Sequence, residues 1–195
     1  MTIAVVDSGG ANIASVFHAL RRLGVEPTFT RNASDIRQAS HVILPGVGAA
    51  SGAMEKLREF RLAEVIRNLT QPVLGVCLGM QLLFESTEEG DTGMLGLIPE
   101  RIRKLAANEG LRVPHMGWNK ITTLNKDSMC IGSENEWFYF VHSYAAPVGD
   151  FTLATAEHGP PFSAIVRQGN FYGAQFHPER SAKAGEALLN RFLEV

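Results

Sequence analysis

The sequence predicts an α/β fold with a mostly parallel central sheet flanked by helices and an antiparallel C-terminal extension. In the first half, short apolar runs alternate with segments of helical periodicity, which is typical of βαβ units. The apolar runs are apolar throughout rather than alternating, as expected for strands buried on both faces of a sheet. After Gly90, strand-like segments follow one another without long helices between them, which indicates antiparallel pairing.

In the first half, strands are predicted at residues 2–6, 25–30, 41–44 and 72–76, and turn residues follow several of these runs. The first helix has its apolar residues on one face and ends at Gly24. That face is formed by Ile13, Val16, Phe17, Leu20 and Leu23. A long helix is predicted for residues 52–69, and a further helix runs from Cys77 to about Phe84.

The second half predicts strands at residues 98–105, 118–124, 137–141, 152–156, 163–167 and 171–176, and a last helix at 182–193. These strands form either an antiparallel extension of the first sheet or a small second sheet. The sequence contains no repeat, low-complexity segment or linker. We therefore expect a single domain over residues 1–195.

Composition excludes several classes of function. The 195 residues carry a formal net charge of −2 and no basic run, so nothing favours binding to nucleic acid or to an anionic membrane. No apolar stretch reaches the ~20 residues needed to span a bilayer. The first residues do not resemble a targeting signal. We expect a cytoplasmic protein.

The two cysteines, Cys77 and Cys130, lie in different sequence contexts. A disulfide between them is possible on count alone, but a reducing compartment disfavours it. No pair of histidines has the spacing of a metal site. We therefore expect neither a metal ion nor a cofactor.

Cys77 lies in a turn that suits a nucleophile. The sequence from Gly75 to Gly79 has the form G-x-C-x-G between an apolar strand and a helical pattern, the cysteine version of a nucleophile elbow. Glycines two residues before and after the cysteine remove side chains that would clash in a sharp turn. A helix N-terminus and a nearby imidazolium would stabilise the thiolate. The N–H of Leu78 is placed to bind an oxyanion.

His177 and Glu179 are the candidates for the base and for the residue that orients it. His177 follows a predicted strand, and functional groups of α/β folds lie at the carboxyl ends of strands. Residues two apart in an extended segment point to the same side, so Glu179 can reach the imidazole ring. Such a carboxylate fixes the tautomer of the histidine and stabilises its charged form.

Each of these residues also has an ordinary structural interpretation. A cysteine after an apolar strand is often a small buried hydrophobe, which is how we interpret Cys130. A histidine at a strand end beside a glutamate can simply be solvated. The flanking glycines of Cys77 and its pairing with His177 favour the catalytic interpretation.

Taken together, three blocks of sequence resemble the class I, triad-type glutamine amidotransferases, which implies their flavodoxin-like fold. These blocks are Pro45-Gly46-Val47-Gly48, Gly75-Val76-Cys77-Leu78-Gly79-Met80-Gln81 and Phe176-His177-Pro178-Glu179. The resemblance implies glutamine hydrolysis by Cys77, His177 and Glu179. It also implies an oxyanion hole formed by Leu78 with the backbone of Gly46, Val47 and Gly48. Gln81, Ser143 and Tyr144 would bind the amino-acid end of glutamine.

Two further blocks are similar to the glutaminase subunits of imidazole glycerol phosphate synthases, which act in histidine biosynthesis. They are Pro114-His115-Met116-Gly117-Trp118-Asn119 and Tyr139-Phe140-Val141-His142-Ser143-Tyr144. This resemblance implies a heterodimer with a cyclase subunit of the (β/α)8 barrel type, which consumes the ammonia. We expect Asn12, Met116, Trp118 and Arg180 to contact that partner, because Trp and Arg are enriched at binding hot spots. Trp118 is equally compatible with a core position.

Other functions remain open at this point. The chain could be the glutaminase subunit of a different biosynthetic amidotransferase, although the block from Pro114 to Asn119 speaks against it. It could also be a stand-alone cysteine hydrolase or peptidase. The loop Asp7-Ser8-Gly9-Gly10 suggests a phosphate- or flavin-binding module, but it lacks a complete G-x-G-x-x-G or P-loop pattern.

Overall fold

The computed structural model describes residues 1–9, 13–107, 111–124 and 126–195. Its strands are β1 (Ile3–Val6), β2 (Pro27–Thr30), β3 (His41–Leu44), β4 (Val73–Val76), β5 (Phe84–Thr87), β6 (Thr92–Gly93), β7 (Ile98–Lys104), β8 (His115–Lys120), β9 (Thr122–Thr123), β10 (Trp137–His142), β11 (Tyr144–Ala145), β12 (Thr152–Glu157), β13 (Pro161–Gln168) and β14 (Phe171–Ala174). Its α-helices are α1 (Ile13–Arg22), α2 (Ala33–Gln38), α3 (Ala50–Glu59), α4 (Leu62–Arg67), α5 (Leu78–Gln81) and α6 (Ala182–Leu193). Short 3-10 helices cover Glu89–Asp91, Ser128–Cys130 and Pro178–Arg180.

An eight-stranded sheet forms the centre of the fold, in the order β2-β1-β3-β4-β14-β13-β12-β9. Its neighbours from β2 through β14 pair in parallel, and those from β14 through β9 pair antiparallel. Two smaller sheets accompany it, with orders β10-β8 and β11-β7-β5-β6. The predicted fold class is confirmed, and the two arrangements considered for the second half both occur.

The core consists of two apolar layers, one on each face of the central sheet. Successive residues of β1 enter opposite layers, since Val5 belongs to one cluster and Val6 to the other. Leu20 of α1 and Phe192 of α6 pack in the first layer. Leu57 of α3 packs in the second layer. This double burial explains why the first strands are apolar throughout.

Several local predictions were wrong. The helix predicted for residues 52–69 is divided into α3 and α4 at Arg61, whose φ of 56° is left-handed. The helix after Cys77 has a single turn, and the chain then enters β5 at Phe84. Helix α2, with its cap at Asn32, was not predicted. The strand predicted at 118–124 begins earlier, at His115, and is interrupted before β9.

The helices are short or amphipathic. Across the described ranges, none of them combines the length and the apolar character needed to cross a bilayer.

Candidate active site

The pairing of β4 with β14 brings Cys77 and His177 together. The two strands are parallel and adjacent, with Val76 opposite Ala174, so their carboxyl ends lie side by side. The N–H of Cys77 donates to the carbonyl of Ala174 over 2.8 Å, which extends this pairing by one residue. His177 follows shortly after β14, and its N–H donates to the Tyr139 carbonyl over 2.9 Å. Two segments a hundred residues apart therefore meet at the carboxyl ends of neighbouring strands in the middle of the sheet.

Cys77 lies in a strained backbone conformation, with φ of 54° and ψ of −110°. A non-glycine residue at positive φ costs free energy and is concentrated at functional sites. Nearby glycines allow the backbone to approach closely around it. A Cβ on Gly79 would lie 1.8 Å from the Leu44 carbonyl oxygen, and one on Gly75 would lie 2.5 Å from the Gly79 oxygen. The predicted reason for glycine at both positions of the elbow is confirmed.

His177 lies between Cys77 and Glu179. Its Nδ1 is 2.8 Å from Oε1 of Glu179, and its ring lines the same cavity as the Cys77 side chain. Burial alone lowers the pKa of His177, but the interactions of its ring with Cys77 and Glu179 outweigh burial and raise the pKa to about 10. At neutral pH the ring is therefore an imidazolium that can protonate a leaving group.

A cavity of about 420 Å³ opens over the cysteine. Its wall contains members of all four predicted groups: catalytic, oxyanion-binding, substrate-binding and partner-interface residues. The predicted residues that line it are Val47, Gly48, Cys77, Leu78, Gln81, Ser143, Tyr144, His177 and Arg180. Gly46 lies behind this wall, where a Cβ would be 2.5 Å from the Gly79 nitrogen. The side chain of Glu179 is 4% exposed and contacts His177 on the side away from the cavity.

Gln81 is buried in the cavity wall, although a polar residue on a short helix could equally have been exposed to solvent. Its Nε2 donates to the Tyr144 carbonyl over 2.8 Å and to Oε1 of Gln175 over 3.0 Å. The Nε2 of Gln175 lies 4.0 Å from the Cys77 sulfur. Both N–H bonds of the Gln81 amide are thus used within the protein, which leaves its oxygen for a ligand.

Two polar residues that bond to segments around the cavity were not identified from the sequence. Glu89 lines the cavity, and its Oε2 accepts the N–H of Ala50 over 2.7 Å at the start of α3. Ser8 is buried and donates its hydroxyl to the carbonyl of Pro45 over 3.0 Å, at the loop that carries Gly48. No local sequence signal marks either role, since both depend on contacts between distant segments.

The residues expected at a partner interface lie on the surface near the cavity. Met116 is 64% exposed and Trp118 is 50% exposed, so Trp118 is not a core residue. The Trp118 ring contacts Tyr139 edge-to-face at 5.9 Å, and the Arg180 guanidinium lies 5.5 Å from the Tyr139 ring centroid. We call Met116, Trp118, Tyr139 and Arg180 the docking patch. Asn12 lies outside the described residues.

Cys130 has the environment of a structural cysteine. It is buried in a 3-10 turn, and both cysteines are free thiols, so the disulfide that their number allowed is not formed. Burial, followed by the charge of Asp127, raises the pKa of the Cys130 thiol to about 12. Cys130 is therefore unreactive at neutral pH.

Comparison with known proteins identifies the family. The model of the family "Glutamine amidotransferase class-I" matches residues 4–195. The chain belongs to the class-I glutamine amidotransferases. Membership makes it an enzyme that releases ammonia from glutamine.

Its relatives are similar over their full length. The chain is 50% identical over 194 residues to the imidazole glycerol phosphate synthase subunit HisH of Xanthomonas axonopodis pv. citri, covering 99% of this chain and 97% of the relative. It is 49% identical over 195 residues to the protein of the same name from Idiomarina loihiensis, covering 100% and 98%. These relatives confirm the resemblance derived from the sequence.

Two solved structures share the fold of this class-I glutamine amidotransferase. A glutamine amidotransferase crystal structure matches with a TM-score of 0.78 at 20% identity, covering 100% of this chain and 98% of the other. A putative GMP synthase component from Thermoplasma acidophilum matches with a TM-score of 0.74 at 20% identity, covering 100% and 92%.

Proposed function

We propose that this chain hydrolyses glutamine with a Cys77-His177-Glu179 triad and passes the ammonia to a cyclase partner in histidine biosynthesis. The observation that carries the proposal is that Cys77 and His177 line one cavity, while the His177 ring is held by Glu179 at 2.8 Å on its other side. A nucleophile, a base and an orienting carboxylate in this order are the requirements for covalent acyl transfer.

The first half of the reaction forms a thioester. The Cys77 thiolate attacks the side-chain amide carbon of glutamine and gives a tetrahedral oxyanion. The C–N bond then breaks as the His177 imidazolium gives its proton to the leaving nitrogen, and ammonia is released. The raised pKa of His177 keeps this proton available at neutral pH.

The second half hydrolyses the thioester. Neutral His177 takes a proton from water, and the resulting hydroxide attacks the thioester carbon. The C–S bond breaks, glutamate leaves, and the thiolate and imidazolium are restored. Glu179 keeps the Nδ1 proton of His177 in place throughout, because its Oε1 lies 2.8 Å from that nitrogen.

Backbone N–H groups would bind the oxyanion. Leu78 is the first residue of α5, so its N–H has no partner within that helix. The loop at Gly46, Val47 and Gly48 faces it, and Gly48 has a φ of +91° that favours glycine. Loss of one such donor typically lowers the rate by about 10²- to 10³-fold.

The amino-acid end of glutamine would lie among Glu89, Gln81, Ser143 and Tyr144. The carboxylate of Glu89 and the amide oxygen of Gln81 are the acceptors in this wall suited to an α-ammonium group. The carbonyls of Ser143 and Tyr144 already accept bonds from Leu105 and from Gln81. The N–H groups of this segment and the Ser143 hydroxyl are therefore the groups that would bind glutamine.

The partner proposal rests on the relatives, which are named as subunits of imidazole glycerol phosphate synthase. Ammonia released into water would be protonated and lose its nucleophilicity. A glutaminase bound to the enzyme that consumes the ammonia avoids this loss. We assign the docking patch to a cyclase subunit of (β/α)8 type in a cytoplasmic heterodimer. Arg180 supports this assignment, because it belongs both to the patch and to the cavity wall.

The test is ammonia and glutamate release from glutamine, with and without the cyclase and its ligand. We expect Cys77→Ala to abolish release, His177→Ala nearly to abolish it, and Cys130→Ala, the matched control, to leave it unchanged. Glutaminase activity that persists in Cys77→Ala would contradict the triad. Equal rates with and without the partner would remove the coupling and favour a stand-alone hydrolase.

A further inference from the structure

Two buried histidines face each other at the wall of the cavity. His142 lines the cavity, and His115 is not among the lining residues. His115 of β8 and His142 of β10 are directly opposite in the antiparallel ladder. They are 6% and 5% exposed, and Nδ1 of His115 lies 3.1 Å from Nε2 of His142. The catalytic steps proposed above use neither ring. Burying two polar rings in contact needs a physical reason.

The hydrogen bonds of the two rings run in a single direction. Nδ1 of His142 lies 2.9 Å from the Tyr144 carbonyl, which can only accept, so Nδ1 carries the proton. In a neutral ring Nε2 of His142 must then accept, and the donor is Nδ1–H of His115. Nε2 of His115 accepts in turn from the amide of Asn119 over 3.4 Å. Each ring therefore donates through Nδ1 and accepts through Nε2.

The surroundings keep both rings neutral. Burial is the main cause that lowers the pKa of His115 to about 4 and of His142 to about 3. The titratable groups near them are His158, stacked on His115 at 4.3 Å, and His177, and both oppose further positive charge. At neutral pH the chain of hydrogen bonds from Asn119 to Tyr144 is therefore intact.

We propose that His142, in a tautomer fixed by His115, is a positioning residue that holds the Tyr144 carbonyl and thereby the glutamine-binding wall of the cavity. The same carbonyl accepts from Gln81 over 2.8 Å. Tyr144 is thus fixed between the histidine pair and the amide pair of Gln81 and Gln175, next to Cys77. The inference rests on the proposed function, in which this wall binds glutamine.

The alternative is that His142 only fills space. It lies among aromatic rings, 4.9 Å from Phe162 and 5.8 Å from Phe140 between ring centroids. Phenylalanine at position 142 would preserve this packing and remove the hydrogen bond to Tyr144. Asparagine would lose the ring packing and keep the hydrogen bond to Tyr144, because its side-chain amide nitrogen reaches about where Nδ1 lies.

The experiment measures KM and kcat for glutamine with the partner present. We expect His142→Phe to raise KM about five- to tenfold, the effect of one lost hydrogen bond, with kcat within about twofold of wild type. His142→Asn should restore KM to near the wild-type value. His158→Phe, which keeps a ring stacked on His115 outside the chain of bonds, is the matched control and should leave both constants unchanged.

A second measurement does not depend on any variant folding. The 15N spectrum of the histidine rings in the wild-type protein should show Nδ1–H on both His115 and His142. An Nε2–H signal at His142, an unchanged KM in His142→Phe, or a KM for His142→Asn as high as that of the phenylalanine variant would each overturn the inference. Wild-type protein that releases no ammonia with its partner would instead contradict the proposed function, and the 15N result would still decide the tautomers.

Discussion

The Nδ1 of His177 lies 2.8 Å from Oε1 of Glu179, and the carboxylate that holds it is almost completely shielded from water. The second oxygen, Oε2, is buried without a hydrogen-bond partner among the residues that the structure describes. A buried carboxylate with a single hydrogen-bond partner stabilises the positive charge of that partner strongly. This geometry supports the proposed role of Glu179, which is to orient His177 and keep it protonated.

Glu179→Gln tests this relationship, because it keeps the shape of the side chain and removes its charge. In the wild type, kcat/KM should fall as the pH rises through about 10, where His177 loses its proton. Without the carboxylate the pKa of His177 is lower, so the fall should occur at lower pH. At neutral pH we expect activity to drop by about 10²- to 10⁴-fold.

The measurement is a pH profile of glutaminase activity for both proteins with the partner present. Glu186→Gln, on the exposed part of α6, is the control and should reproduce the wild-type profile. If the activity of Glu179→Gln fell at the same alkaline pH as that of the wild type, the proposed role of Glu179 would be contradicted.

The tight turn at Cys77 leaves no room for a side chain at Gly79. In Gly79→Ala the new methyl group would meet the backbone oxygen of Leu44, which cannot rotate away. We expect a loss of about 1–3 kcal/mol in unfolding free energy, the usual cost of overpacking, and a larger loss of activity as Cys77 moves. Chemical denaturation and ammonia release measure the two effects.

Gly52 provides the matched control for this substitution. It lies in α3 with open space around the position of a Cβ. Gly52→Ala should therefore raise stability by about 0.5–1 kcal/mol through helix propensity, with activity unchanged. Equal effects at Gly52 and Gly79 would contradict the proposed close packing.

Much of this site could be predicted from the sequence, because its chemistry is carried by short local patterns. The elbow glycines, Cys77 and the pair of His177 and Glu179 each follow from spacing within a few residues. The pairing that joins them is not local. The adjacency of β4 and β14 depends on strand order, and no pattern in either strand specifies its neighbour.

The wrong local predictions have a similar cause. Apolar periodicity continues through Arg61 although the helix breaks there, because residues on both sides pack in the same apolar layer. Glu89 and Ser8 have the sequence context of ordinary surface and turn residues. Their roles come from bonds to Ala50 and Pro45, some 39 and 37 residues away in the chain.

The two thiols should differ sharply in reactivity. Cys77 and His177 line the same cavity, whereas the pKa of Cys130 is raised to about 12 by burial. A glutamine-analogue electrophile at neutral pH should therefore modify Cys77 alone in the folded protein. Mass spectrometry of the digested protein reads the site, and unfolded protein treated with a general alkylating agent is the control for Cys130. Modification of Cys130 in the folded protein would contradict its structural role.

Trp118 is the strongest candidate for a hot spot in the docking patch. Its half-exposed ring contacts Tyr139, and Arg180 extends the same patch to the cavity where we propose that ammonia is released. Trp118→Ala should weaken binding to the cyclase by about 2 kcal/mol or more, or roughly thirtyfold in Kd. Phe29→Ala is the matched control, since Phe29 is a comparably exposed aromatic residue on β2, an edge strand of the central sheet, whereas Trp118 lies on β8 in a separate two-stranded sheet. Calorimetric titration compares the two variants. Because a partner on β2 would be separated from Cys77 by the width of the parallel sheet, a larger loss in Phe29→Ala would contradict both the patch and the direct transfer of ammonia.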